Sequence, residues 1–361
     1  MLELEEYQTP FSYCLNEIIS GDVNKISPNG FTLLMQAISI NNNNLVELLL
    51  ENNADPDITV KNNYTALSFA CKMNGNISII FTLLRFNANP NICLSNNMSP
   101  LILSIVNKNI LLTDTLLRYK ADPNHKDFNG NTPLIRAVQN KFRESFKSLL
   151  NYGALFDEPN YKGITPFFEA CLQSDIPTMK LFYGIGANIH IEDTEGGTPL
   201  IYAIQNNDKH VIKFLLKSNA SIIKENKHGL RALDYAICCS DLETLYYISK
   251  KCPKMGQEYI DKVPCIIHLI NSTTGKTDII DFLVRTGAKL DILFQKDNHI
   301  LTPLTLAILK DDYEMTEKLL RLGANPDLTG TVRPISLAND KAFNGDVKYL
   351  DLLRKFGATV I

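Results

Sequence analysis

Asn131–Leu134 reads NTPL; the same phrase returns as ITPF from Ile164 and as GTPL from Gly197. Aligned on the Thr position, the series runs Thr32, Thr65, Ser99, Thr132, Thr165, Thr198, Arg231, Val263, Thr302 and Arg333. From Thr32 to Arg231 the steps are 33, 34, 33, 33, 33 and 33. A second marker keeps the same phase at Ala54, Ala88, Ala121, Ala154, Ala187 and Ala220, then at Ala288, Ala324 and Ala358. A unit of this length cannot bury an apolar face by itself, so copies must stack on one another to make a core.

Each unit decodes physically. In NGNTPLIRAV, Gly130 permits the turn that precedes a helix. Thr132 can cap that helix, and Pro133 stands in its first turn, where no amide donor is needed. Leu134 and Ala137 share a face. The small residue recurs as Ala37, Ala70, Ala170, Ala203, Ala236, Ala307 and Ala338, which lets helices approach closely. A second helix follows, marked by the pairs Leu49-Leu50, Leu83-Leu84, Leu116-Leu117, Leu149-Leu150, Leu215-Leu216 and Leu319-Leu320. The Gly/Asn-Ala step then ends the helix in a left-handed residue, and a polar, turn-rich loop leads to the next pair.

Through DFNGNTPLIRAV…LLNYGA and its copies, the chain resembles the ankyrin repeat family over about ten repeats, from Pro10 to Ile361. The resemblance implies a mainly α solenoid of stacked helix-turn-helix units with projecting β-hairpin loops. The His that often follows TPL in that family is replaced here by Ile135, Phe168, Ile201 and Asp234. We expect a single solenoid over 1–361. It comprises an N-terminal capping half-repeat at 1–28, regular repeats at 29–249, irregular repeats at 250–300, and last repeats with a C-terminal cap at 301–361.

The irregular stretch is visible as spacing. Ala220 and Ala288 lie 68 residues apart, with CPKMGQEYIDKVP where the Gly-Ala marker should fall. One hairpin there is lost or remodelled. The step from Ala288 to Thr302 is 14 residues rather than 11, and the helix–helix turn of VPCIIHLINSTTGKTDIIDFLVRTGA holds an insertion. Drift in a tolerant loop explains these changes most simply; a kink or a second binding site is the sharper reading.

Composition closes off other classes. The net charge of −3, from 36 basic and 39 acidic side chains, gives no long-range pull on a polyanion or anionic membrane. The apolar runs are too short to cross a bilayer, and the acidic MLELEEYQTP resembles no signal or transit peptide. Eight scattered cysteines, with no CxxC pair, point to a reducing intracellular compartment, the cytoplasm by default with the nucleus open. The many asparagines read as a mark of an AT-rich genome.

Candidate chemistry is sparse. TTGKTD at Thr273–Asp278 lacks the upstream glycine of a phosphate loop, since position 270 is Ile270. Cys252, Cys265 and His268 lack a fourth zinc ligand at paired spacing. The remaining histidines form no constellation, and no segment is left over for a catalytic domain. We therefore expect no enzyme, no cofactor and no metal.

The family resemblance implies protein recognition on a concave face made by the loop tips and the first helix of each pair. The candidate partner-binding residues are Phe128, Asn129, Asn131, Tyr161, Lys162, Ile164, Leu172, Gln173, Thr194, Glu195, Gln205 and Asn206, flanked by Phe31, Tyr64, Met98, Lys227, His228 and Leu230. Phe128 and Tyr161 hold the same repeat position and should be neighbours. The leading reading is a monomeric, non-enzymatic scaffold or adaptor for a protein partner, with neither nucleic acid nor membrane. One alternative is a microbial or viral effector or inhibitor acting on a host protein. Another is a ligand-binding, metal-binding or enzymatic role for 250–300.

Overall fold

The computed structural model describes residues 22–239, 242–257, 259–260, 263–272, 277–296 and 299–359. The expected N-terminal half-repeat, up to residue 21, lies outside them, as does most of TTGKTD. The chain forms two compact units, one ending at Thr194 and the other beginning at Glu195.

Among the described residues the first unit holds five helix pairs. They are α1 (Leu33–Ser39) with α2 (Asn43–Glu51), α3 (Ala66–Lys72) with α4 (Ile77–Arg85), and α5 (Pro100–Val106) with α6 (Ile110–Arg118). Next come α7 (Pro133–Gln139) with α8 (Glu144–Asn151), and α9 (Pro166–Leu172) with α10 (Ile176–Gly184). First helices pack on first helices from α1 through α9, and second helices pack on second helices from α2 through α8. The caps are those the repeat demands. Thr132 Oγ1 accepts from Ile135 N–H at 3.3 Å and Thr165 Oγ1 from Phe168 N–H at 3.2 Å, each with Pro in the first turn. Ala37, Ala70, Ala137 and Ala170 are fully buried. Ile135 and Phe168, which replace the family's His, are fully buried as well and fill that position with apolar volume. Cys71 behaves as a small hydrophobe, because burial pushes its thiol up to about 12.

The second unit holds α11 (Pro199–Gln205) with α12 (Lys209–Lys217) and α13 (Ala232–Cys239) with α14 (Leu242–Ser249). After these come α15 (Cys265–Ser272) with α16 (Thr277–Arg285), α17 (Pro303–Leu309) with α18 (Tyr313–Arg321), and α19 (Pro334–Phe343) with α20 (Lys348–Lys355). At α13 the cap is rebuilt, since Arg231 cannot supply it. Asp234 in the first turn accepts from Arg231 N–H at 2.7 Å and pairs with its guanidinium. In the last of these repeats the first helix, α19, is ten residues long where α17 has seven.

Many of the asparagines and aspartates have structural roles that composition alone does not reveal. Three residues beyond most Gly/Asn-Ala markers, and at Asn24 one repeat ahead of the first, stands an Asx side chain whose oxygen accepts a backbone N–H one repeat later. Asn24 takes Asp55 N–H at 2.8 Å, Asp57 takes Asn89 at 2.9 Å, and Asn91 takes Asp122 at 2.8 Å. Asn124 takes Leu155 at 2.8 Å and Asp157 takes Asn188 at 3.2 Å. In the second unit Asp291 and Asp327 do the same for Asn325 and Thr359, both at 2.9 Å. The repeat position is occupied by His190, Ile223 and Gly256 in between. Other asparagines, such as Asn53, Asn87 and Asn219, hold the left-handed φ of 61–63° that ends a second helix.

The expected hairpins are mostly tight turns. Paired strands occur, among the described residues, only in the irregular stretch. There β1 (Tyr259–Ile260) pairs antiparallel with β2 (Val263–Pro264), and β3 (Phe294–Lys296) with β4 (His299–Leu301). The hairpin between α14 and α15 is thus remodelled, not lost. A short 3-10 turn, Met255–Gln257, replaces the Gly-Ala marker and buries Met255 completely. Gly256 is obligatory, since a Cβ there would lie 2.1 Å from the Leu283 carbonyl oxygen. The three extra residues before Thr302 extend the β3–β4 hairpin.

Candidate partner-binding face

Two tips of the first unit are shaped by the same device. Asp127 Oδ1 accepts from Asn129 N–H at 2.9 Å and Asn131 N–H at 3.0 Å; Gly130 N–H, at φ 77°, returns to Asp127 O at 2.8 Å. Asn160 repeats the pattern, accepting from Lys162 N–H at 2.9 Å and Ile164 N–H at 3.0 Å, with Gly163 at φ 80°. Such Asx turns leave the two residues after the Asx pointing away from the turn. Phe128 is accordingly 76% exposed and Tyr161 64% exposed.

Neighbouring tips are tied together. Tyr161 N–H donates to Asn129 O at 3.3 Å, Thr194 N–H to Lys162 O at 3.0 Å, and Asn160 Nδ2 to Asn131 Oδ1 at 2.9 Å. The glycines permit this approach. A Cβ on Gly130 would stand 2.6 Å from the Tyr161 ring and backbone nitrogen. Lys126 Nζ lies 6.0 Å from the Tyr161 ring centroid while pairing with Glu158 at 2.6 Å.

Below the tips, α7 and α9 form the floor of a groove of about 460 Å³ lined by Phe128, Asn129, Arg136, Gln139, Tyr161, Lys162, Glu169 and Leu172, among others. A polar chain crosses the floor. The Arg136 guanidinium pairs with buried Asp127 and donates to Gln139 Oε1 at 3.3 Å. Gln139 Nε2 then donates to Glu169 Oε2 at 3.3 Å, and Gln173 Nε2 to Glu169 Oε1 at 2.8 Å. Gln173 Oε1 ends the chain as a buried acceptor without a partner.

Not every candidate residue faces outward. Asn131 and Ile164 are buried, 4% and 8% exposed. Their backbone amides close the Asx turns, and both still line the groove wall. Phe128, Asn129, Tyr161, Lys162 and Leu172 gather at the groove, Gln173 hydrogen-bonds to Glu169 of its lining, and exposed Thr194 extends the row of tips. In the second unit, Glu195 O accepts Lys227 N–H at 3.0 Å, and Gln205 and Asn206 are exposed at the end of α11. Sequence reasoning missed Arg136, Gln139 and Glu169. Gln139 shares the repeat position of Leu172 and Gln205, so the same alignment reaches it. Arg136 and Glu169 share another, four residues after the capping Thr.

Among the described residues no group of three or more His, Cys, Asp or Glu side chains could hold a metal, and no helix is long and apolar enough to cross a membrane. Cys265, weighed as a zinc ligand, is fully buried with Sγ 3.3 Å from Gly256 O.

Comparison with known proteins finds a repeat pattern over most of the chain. The family model described as ankyrin repeats (3 copies) matches residues 10–92, 67–162 and 167–263, and the single ankyrin repeat model matches 300–331. Ankyrin repeat protein 14 of Vaccinia virus (strain Western Reserve) is 40% identical over 59 residues, 16% of this chain and 25% of that protein. The chain thus spans about a quarter of the length of that relative. The crystal structure of the ankyrin repeat domain of Bcl-3, a member of the IkappaB protein family, superposes with a TM-score of 0.56 at 21% identity. It covers 61% of this chain and 98% of that domain.

Proposed function

The chain belongs to the ankyrin repeat family, and from that premise we propose that it is a non-enzymatic scaffold or adaptor that holds a partner protein against its central tips and first helices. Ankyrin repeats are in general protein–protein interaction modules. The observation that carries the placement is the groove between the fourth and fifth tips of the first unit. Phe128 and Tyr161 stand exposed on turns that are already hydrogen-bonded in place. Rigid aromatics presented this way are efficient contact residues, because little side-chain or loop freedom is lost on binding. Lys162 and the Arg136–Glu169 floor add directional donors and acceptors beneath them.

Affinity capture from source-cell lysate tests the reading, with wild-type protein beside a Phe128→Ala/Tyr161→Ala/Lys162→Ala variant. A partner retained by wild type and lost by the folded variant is the expected result. Equal capture by both would move the site away from this groove.

The viral relative favours a narrower version, an effector or inhibitor directed at a host protein. Capture from a host proteome alone, with no partner from the encoding organism, separates it from a housekeeping adaptor.

A further inference from the structure

A second recessed surface lies at the opposite end of the first unit from the α9–α10 pair, between the tips that precede α1 and α3. It has a volume of about 280 Å³ and is lined by Asn29, Phe31, Lys61, Tyr64, Phe69, Lys72 and Met73, among others. Its walls are aromatic. Phe31 and Phe69 have ring centroids 5.3 Å apart, and Tyr64 meets Phe69 edge-on at 6.4 Å. Met73, 59% exposed, stands at the rim.

Two sequence positions make this pocket. Phe69 falls four residues after the capping Thr65, where Arg136 and Glu169 stand in later repeats. Phe31 and Tyr64 fall where Asn131 and Ile164 turn inward. Here the same slots carry rings that remain partly exposed around a recess.

The charge around it is one-sided. The tips 27–32, 60–65 and 94–99, together with α1, α3 and α5, contain no Asp or Glu, while Lys61 and Lys72 stand at the pocket. Lys72 Nζ donates to the Tyr64 hydroxyl and lies 4.8 Å from its ring centroid. Among the described residues neither Lys61 nor Lys72 has a carboxylate partner. An ammonium has three donors, so Lys72 retains capacity for an anion. The central groove is different, with Asp127 and Glu169 built into its floor.

We propose that this pocket is a separate docking site for an acidic peptide segment of a partner protein, which seats one large apolar side chain between Phe31, Tyr64 and Phe69 and places a neighbouring carboxylate on Lys61 and Lys72. The aromatic walls supply apolar burial, and the lysine pair supplies orientation and salt sensitivity. The site goes beyond the central groove and does not require it.

The test is selection of a random twelve-residue phage-displayed library on the immobilised full chain, after depletion on a Lys61→Glu/Lys72→Glu variant. Both lysines are exposed, so that variant should keep its fold, which circular dichroism checks. Recovered peptides should pair a large apolar residue with Asp or Glu within three positions. A synthetic representative, followed by fluorescence anisotropy, should weaken more than tenfold with Phe31→Ser and with Lys61→Glu/Lys72→Glu. It should weaken again when salt rises to several hundred millimolar, and it should bind Phe128→Ala/Tyr161→Ala/Lys162→Ala unchanged. The proposal is overturned by recovery of no peptide, by peptides without acidic residues, or by binding indifferent to Phe31→Ser. Self-association of the wild type that is lost in the lysine variant would also overturn it, by assigning the pocket to a second copy of the chain. Loss of peptide binding in the central variant alone would tell against this pocket while leaving the central groove intact.

Discussion

The regular repeats of the first unit and the stretch between residues 250 and 300 of the second unit solve the same problem in two ways. Both must turn the chain after a second helix and re-enter the next first helix. In the first unit each loop leans on its neighbours. An Asx side chain holds the next repeat's backbone, and the tips 127–131 and 160–164 are joined by Tyr161 N–H to Asn129 O. In the irregular stretch the Asx position after α14 is Gly256, and both loops pair as strands, β1–β2 and β3–β4, while Asp291 still accepts from Asn325 N–H and Ile300 O from Thr331 N–H at 2.8 Å. A tip secured by its neighbours can be short and carry exposed aromatics. The helical layers change less, since Leu283 of α16 is as fully buried as Phe182 of α10 at the same repeat position.

The largest effect tests whether the helical layers of the two regions are packed equally well, each within its own unit. Phe182 is fully buried 5.7 Å from the Phe146 ring centroid, and Phe182→Ala should lower stability by about 3–5 kcal/mol. Leu283→Ala should lose about 2–5 kcal/mol, read in parallel by urea denaturation. A negligible loss at Leu283 would show that the irregular region packs loosely, and would break the equivalence.

Tip-to-tip packing comes next. Gly163 has φ 80°, and a Cβ would lie 2.8 Å from Asp193 Cα and Glu192 O. Gly163→Ala should therefore destabilise by about 2 kcal/mol or more. Gly184, at the end of α10 with nothing within 4 Å, is the control. Gly184→Ala should leave the melting temperature level or raise it, since Ala favours a helix over Gly by up to about 1 kcal/mol.

The Asx ladder gives a smaller contrast. Asn124 accepts from Leu155 N–H and donates to Gly153 O at 3.0 Å, so Asn124→Ala should lose about 1 kcal/mol and speed hydrogen exchange at Leu155. Ile223 holds the same repeat position and is 65% exposed. Ile223→Ala should change stability by less than about 0.5 kcal/mol. Equal losses would mean that the ladder contributes nothing particular to the regular repeats.

The last effect is titratable. Asp175 caps α10 and pairs with Arg143 from the preceding repeat. Burial raises its pKa, but the hydrogen bonds from Thr178 and Arg143, with the guanidinium charge, outweigh burial and hold the carboxyl below its usual value. A depressed carboxyl contributes stability above the unfolded-state value of about 4, and that stability is lost as pH falls through the folded-state value. Asp175→Asn should thus lose roughly 1 kcal/mol at pH 7, discounted because Arg143 is half-exposed, and no more than a few tenths near pH 2. Thermal melts across that range check the sign, and a variant that loses as much at pH 2 would assign the whole effect to neutral hydrogen bonding.

Much of this architecture is legible in the residues. The capping Thr series, the buried alanines and the paired leucines are local signals repeated in phase, and each sits where the phase puts it. The 14-residue step before Thr302 marked where the loop is longer, because extra residues between fixed helix ends must form additional loop, but not that this loop pairs as β3–β4. The structural role of the asparagines was not legible, because their partners stand a full repeat away and composition alone carries no direction. The site was legible at its tips, where Phe128 and Tyr161 share a position. It was less so on its floor, where Arg136, Gln139, Glu169 and Gln173 matter through a hydrogen-bond chain that crosses between repeats. Asn131 and Ile164 show the converse, since position relative to the cap does not say which side of a tight turn a side chain takes.

The sequence by itself determined the unit, its length, its phase and the ends of its helices, because capping, helix termination and small-residue packing depend on neighbours a few positions away. Tertiary structure decided which Asx oxygens became rungs and which loops became strands. It also decided which tip residues turned inward, leaving one recess ringed by lysines and another floored by a neutralised ion pair. Those outcomes depend on contacts some thirty residues apart, and only the stacking of one repeat on the next brings such residues within hydrogen-bonding distance.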